Sequence, residues 1–259
     1  MTGHVIVRKD CTVILNNVNI TAGAHTQLSP YNGGNVGTAP LSIQDNATCT
    51  VLLAAESDNY LTGASDISLM LNSAGLSVEN TINATSGEKH LASVIIDSVS
   101  GVEQANWGRL EVLGKTQSAA IGGSINRASG NITINGGIIK ATAGSWSTAL
   151  GDGDSERSRA DYSTWSCVGG DDKVKDTCQP ASIIINDGNI WAEGKDAAPA
   201  IGTSDELSGD KDGGNGSGVK NRVWNGQTIT INGGTTICVG GGPSNASYTS
   251  MKLSRVPRP

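Results

Sequence analysis

Phenylalanine is absent from this 259-residue chain, and tryptophan and tyrosine together bring aromatics to only 3%. Compact globules lean on aromatic side chains to fill thick cores, so their scarcity points to a thin interior lined by Ile, Val, Leu and Ala. Charge is sparse too: Asp, Glu, Lys and Arg make up 16% of residues, against about 25% in an ordinary soluble domain. The net charge is −6, and no basic stripe interrupts it. That balance argues against a nucleic-acid partner and against adsorption to an anionic membrane. No apolar run approaches the ~20 residues of a membrane-spanning helix, so helical membrane insertion is not expected. Residues 1–9 lack the charged start and apolar stretch of a secretion signal. Helical periodicity is missing as well, because Pro and Gly punctuate every candidate stretch.

Glycine and repetition are what the chain has in quantity. Its 35 glycines are roughly twice the usual ~7% share. Ala39-Pro40-Leu41-Ser42, Ala74-Gly75-Leu76-Ser77, Ala119-Ala120-Ile121-Gly122, Thr148-Ala149-Leu150-Gly151 and Pro199-Ala200-Ile201-Gly202 share one pattern. Each sets a hydrophobic residue after a small residue or Pro and before Ser or Gly. A second marker keeps phase with it: Asn106-Trp107-Gly108, Asn135-Gly136-Gly137, Asn186-Asp187-Gly188 and Asn232-Gly233-Gly234. In three copies the marker Asn stands 14 residues before the Ala of the corner. Such recurrence reads as one structural coil passed again and again.

Period-2 alternation flanks the marker. Before it lie Ile132-Thr133-Ile134, Ile183-Ile184-Ile185 and Ile229-Thr230-Ile231. After it, Leu110/Ile139/Ile190/Thr236 and Val112/Ala141/Ala192/Cys238 form the inward columns, and Glu111, Lys140, Trp191 and Ile237 the outward one. Gly and Asn at the turns are expected to supply positive φ. Each strand then pairs with its equivalents above and below, which makes an all-β, single-stranded parallel β-helix (a solenoid) over residues 1–242. Residues 243–259 read as a tail or linker. Coil spacings of 35, 45, 29 and 51 residues place two long loops, residues 151–181 and 202–228, side by side on one flank.

The Ile132-Thr133-Ile134-Asn135-Gly136-Gly137 repeat, with its following Ala-Thr-Ala-Gly and its Ala-Leu/Ile-Gly corner, resembles Gly-rich repeats of large bacterial cell-surface proteins. That family includes a carbohydrate-binding domain, similar in fold to pectate lyases, which binds plant polysaccharides and calcium. The likeness covers residues 11–242 and rests on turn and core positions. It implies a right-handed coil, an extracellular or cell-surface location, and a polysaccharide or glycan partner. The two long loops depart from the family's short Gly-rich pattern.

Loops on a rigid scaffold are where function concentrates, and residues 151–176 and 203–222 hold eleven of the 24 acidic residues. Asp152, Asp154 and Glu156 offer alternating oxygens suited to calcium. Stricter patterns fail: an EF-hand would need Gly at Arg157 and Glu at Ser163, and a calcium nonapeptide would need Asp at Gly218. A solvated acidic loop offset by Arg157, Arg159, Lys173 and Lys175 fits equally. Trp191 stands out as an outward indole able to stack on the apolar face of a sugar, with Lys140 and Glu193 beside it to bond hydroxyls. Trp146, near the loops, would extend that surface. The competing reading folds a loop over Trp191 as a satellite core.

Catalysis finds little support. None of His4, His25 and His90 is near the repeated corner or an obvious Ser or Cys nucleophile. A calcium-dependent lyase would need Arg157 or Arg159 as base beside Asp152 and Asp154. Five cysteines leave one odd: Cys167 and Cys178 read as a loop-closing disulfide, Cys11 and Cys49 occupy equivalent strand positions, and Cys238 remains. All five reduced is the alternative. Six Asn-x-Ser/Thr acceptors match what the Asn, Ser and Thr content yields by chance. The expected function is a non-catalytic carbohydrate-binding or adhesion module, with a structural stalk assembling through β-helix ends as the alternative.

Overall fold

Short stretches of alternating apolar and small polar residues, cut by Gly, Asn and Asp, can form only short strands that bury one face. The computed structural model describes residues 2–23, 26–28, 35–37, 39–65, 73–82, 88–125, 127–153, 179–196, 198–203 and 227–242. In them the chain lays down three short strands six times over. The first coil is β1 (Val5–Val7), β2 (Cys11–Leu15) and β3 (Asn19–Thr21). An inserted antiparallel hairpin, β4 (Thr26–Leu28) and β5 (Asn35–Gly37), follows. The second coil is β6 (Leu41–Ile43), β7 (Thr48–Leu53) and β8 (Asp58–Thr62).

The third coil holds β9 (Leu76–Ile82), β10 (Lys89–Leu91), β11 (Ser93–Ser98) and β12 (Arg109–Leu113). The fourth holds β13 (Ile121–Gly122), β14 (Ala128–Ser129), β15 (Asn131–Ile134) and β16 (Ile138–Thr142). The fifth is β17 (Leu150–Gly151), β18 (Ser182–Ile185) and β19 (Asn189–Glu193). The sixth is β20 (Ile201–Gly202), β21 (Thr228–Ile231) and β22 (Thr235–Val239).

Equivalent strands stack into three parallel sheets. The first runs β1-β6-β9-β13-β17-β20, the second β2-β7-β11-β15-β18-β21, and the third β3-β8-β12-β16-β19-β22. β10 and β14 lie antiparallel against β9, a local elaboration that the coil repeat did not announce. No α-helix occurs among the described residues, and a single 3-10 turn spans Gln104–Asn106. The architecture is therefore all-β with parallel sheets visited in rotation, compatible with a β-helix or solenoid.

The corner residues form a single file. Leu41 pairs with Leu76, Leu76 with Ile121, Ile121 with Leu150 and Leu150 with Ile201. Val5 adds one further member at the start. On the second sheet Val51, Ile96, Ile134 and Ile185 stack, as do Cys49, Val94, Ile132 and Ile183, all fully buried. On the third, Leu110, Ile139 and Ile190 stack beside Val112, Ala141 and Ala192. Each large aliphatic side chain so buried contributes about 1.5–3 kcal/mol. Asn59 is a polar residue in this interior, and it is satisfied. Its Oδ1 accepts Val18 N–H at 3.0 Å, and its Nδ2 donates to Ser57 Oγ at 2.9 Å and to Arg109 O at 3.0 Å.

The turns differ from expectation in one respect. Positive φ at the marker belongs to Gly137 (98°), Gly188 (128°) and Gly234 (75°), and the asparagines are free of it. They instead form an amide ladder: Asn232 Nδ2 donates to Asn186 Oδ1 at 2.7 Å, and Asn186 Nδ2 to Asn135 Oδ1 at 2.8 Å. Left-handed non-glycine residues sit at other turns, among them Gln117 (60°), Trp146 (64°) and Asp196 (52°).

Cys11 and Cys49 are opposed on neighbouring strands, and Cys11, Cys49 and Cys238 are free thiols. The expected Cys167–Cys178 pair lies outside the described residues. The long loops, residues 154–178 and 204–226, also lie outside them, as do residues 243–259. Their roots are adjacent, because Gly151 pairs with Gly202 and Ser182 with Thr228. No helix among the described residues is long and apolar enough to cross a membrane.

Candidate functional site

Strand alternation decides what the outer face of the third sheet displays. Inward positions of β8, β12, β16 and β19 carry the core, so the residues between them must point out. One outward file reads Asn19, Tyr60, Glu111, Lys140, Trp191 and Ile237, one residue per coil, each paired with the next. Tyr60 is 41% exposed and Trp191 42%. They stand three rungs apart, about 14 Å at the ~4.8 Å spacing of paired strands. Between them Lys140 Nζ donates to Glu111 Oε1 at 2.8 Å. The parallel file on one side holds Arg109 and Asp58, 3.6 Å apart. On the other side Glu193 meets Lys195 at 2.6 Å.

The sequence-based candidates are thus partly gathered and partly dispersed. Trp191, Lys140 and Glu193 share this face, with Lys140 and Trp191 as direct neighbours. Trp146 does not join their column. It occupies the corner after β16 at φ 64°, 37% exposed, with its backbone N–H donating to Asp196 Oδ2 at 3.1 Å. A bulky residue in the left-handed region is uncommon and strained. Here the carboxylate of the next coil steadies it.

Tyr60 was not singled out from the sequence. Its coil lacks the Asn-x-Gly marker, since Ala55-Glu56-Ser57 stands in that place. The signal that would have found it is the alternation of Asp58-Asn59-Tyr60-Leu61-Thr62 itself.

Asp152 sits at the root of the first long loop and is fully buried. Its Oδ1 accepts Ser129 N–H at 2.7 Å and Gln227 Nε2–H at 3.0 Å. The Thr203 side chain lies beside this carboxyl, and the Oε1 of Gln227 is buried without a hydrogen-bond partner among the described residues. Burial pushes the Asp152 carboxyl up to about 8, against the opposing pull of the Ser129 N–H. The side chain therefore binds the root of one loop to the return strand of the next. Asp154, Glu156, Arg157 and Arg159 lie outside the described residues. Among the described residues no three His, Cys, Asp or Glu side chains converge as metal ligands do.

Chemically, the face offers two aromatic platforms, paired charges between them and a flat pleated floor. An indole or phenol ring stacks on apolar faces, and the flanking charges accept and donate hydrogen bonds. The class of protein these features define is an all-β, repeat-built chain with an exposed aromatic-bearing parallel sheet. No family model matches the chain, and no curated protein or solved structure matches it.

Proposed function

We propose that this chain is a non-catalytic carbohydrate-binding or adhesion module, extracellular or at the cell surface. In this reading it is a right-handed parallel β-helix that holds a glycan against the outward face of the third sheet. The observation that carries the proposal is the placement of Tyr60 and Trp191 in one exposed file with Glu111 and Lys140 between them. Sugars present apolar C–H faces and hydroxyl edges, which this alternation of rings and charges complements. The test is a glycan array followed by titration calorimetry, run with calcium and with chelator because the acidic flank carries Asp154 and Glu156 beside Asp152. Binding of a glycan that weakens in both Trp191→Ala and Tyr60→Ala supports the reading. Absence of binding in both ionic conditions, or binding indifferent to both substitutions, overturns it.

A second reading, a stalk subunit assembling through coil ends, is favoured by one specific observation. Ile229 and Ile231 are 45% and 46% exposed, although their equivalents Ile183 and Ile185 are fully buried. Light scattering over a concentration series separates this reading from the first.

A further inference from the structure

Cys11 and Cys49 are directly opposed residues of the parallel β2–β7 ladder, in register along its whole length. They open an interior file that continues through Val94, Ile132 and Ile183. In-register neighbours of a parallel pair stand with Cα atoms about 4.8 Å apart, inside the roughly 4.4–6.8 Å span that a disulfide accepts. Cys11 stands close enough to Cys49 to help raise its thiol, and both thiols are free. Cys49 is fully buried, whereas Cys11 is exposed at the edge of the first coil. Cys238 lies on β22, in the third sheet and the last coil.

We propose that Cys11 and Cys49 are an oxidisable pair whose disulfide staples the first coil to the second. The place is one where a staple matters. Among the described residues β1 and β2 pair on one side only, and Val5 and Ile14 are 44% and 60% exposed. A coil with so little burial is the first to open. A cross-link to the fully buried Cys49 removes that opening and shortens the free chain in the unfolded state.

The oxidant is a small disulfide such as glutathione disulfide. The exposed Cys11 thiolate attacks one of its sulfurs and releases one glutathione thiolate. The Cys49 thiolate then attacks the Cys11 sulfur of the mixed disulfide and releases the second. Two thiol protons leave, two electrons pass to the oxidant, and one S–S bond replaces another. Burial first, then Cys11 beside it, push the Cys49 thiol up to about 12. Its thiolate is scarce at neutral pH, so the second step is slow and quickens as pH rises.

The experiment treats the reduced protein with glutathione disulfide, alkylates what remains, and maps peptides by mass spectrometry. The expected result is a loss of two hydrogens located to a cross-link between the Cys11 and Cys49 peptides. Closure should be faster at higher pH, and Cys11→Ser should abolish it. In a Cys167→Ser/Cys178→Ser background, the oxidised form should melt roughly 5 °C above the reduced form of the same chain. The proposal is overturned if Cys11 halts at the glutathione adduct while Cys49 alkylates only after unfolding. It is equally overturned if Cys11 cross-links to another cysteine. Because the map reads connectivity directly, a variant that folds poorly does not decide the outcome.

Discussion

A single buried carboxyl illustrates how this chain's few charged groups are used. Asp152 in the folded protein holds its proton to about pH 8, whereas an unfolded aspartate releases it near pH 4. The folded state therefore binds more protons than the unfolded one across that interval. Stability from this group is complete below about pH 4, falls as pH rises, and is spent above about pH 8. Asp152→Asn keeps the shape and removes the charge. It should flatten the pH dependence of Tm between about pH 4 and 8 and raise Tm at the alkaline end. An unchanged profile would show that Asp152 is not the titrating group. Glu79, also raised by burial, adds a slope of the same sign. At the same scale, Trp191→Ala and Tyr60→Ala should each weaken glycan binding about five- to tenfold, the worth of one lost stacking contact. Lys140→Ala should cost less in titration calorimetry, because its exposed pair with Glu111 already competes with the ligand and contributes little alone.

At the scale of the element, the corner glycines are fixed by neighbours in the stack. Gly122 and Gly151 take φ of 135°, and a Cβ on Gly151 would fall 2.0 Å from the carbonyl oxygen of Gly202 one coil on. Gly202 has similar backbone geometry, but its nearest obstacle is the Ile229 side chain at 3.5 Å. Gly151→Ala should therefore cost about 2–4 kcal/mol by denaturant unfolding, and Gly202→Ala about 1–2 kcal/mol from backbone strain alone. Equal costs would mean that strain, and not the close approach of coils, sets the residue. The asparagines teach the reverse lesson. They read in the sequence as turn residues valued for φ, yet their role is the side-chain ladder from Asn135 through Asn186 to Asn232. Sequence periodicity showed that they recur. Only stacking showed that recurrence lets one amide bond the next.

At the scale of the whole molecule, the first and sixth described coils differ from those between them. Interior positions that are sealed in the central coils stand open in the last one, as Ile229 and Ile231 show. Unpaired strand edges invite another strand, and a contact joining unlike ends propagates instead of closing. If such contacts form, scattering should rise with protein concentration, and Ile229→Lys with Ile231→Lys should abolish the rise while leaving Tm within a few degrees. A flat concentration series for the unaltered chain would remove the stalk reading and leave the proposed glycan-binding reading to be tested alone.

The sequence by itself determined the repeat and therefore the topology. A coil that returns every few dozen residues with an aliphatic at one corner can bury that residue only against its own copies. The file from Leu41 to Ile201 and the outward column of Glu111, Lys140 and Trp191 were accordingly legible. Period-2 alternation fixes which side chains share a face, whatever lies around them. What only the tertiary structure decided is set by contacts between coils that carry no local signature. The burial of Asp152 and the displacement of Trp146 to a corner are of this kind. So is the contrast between a fully buried Cys49 and an exposed Cys11, whose equivalent strand positions were already legible in the sequence.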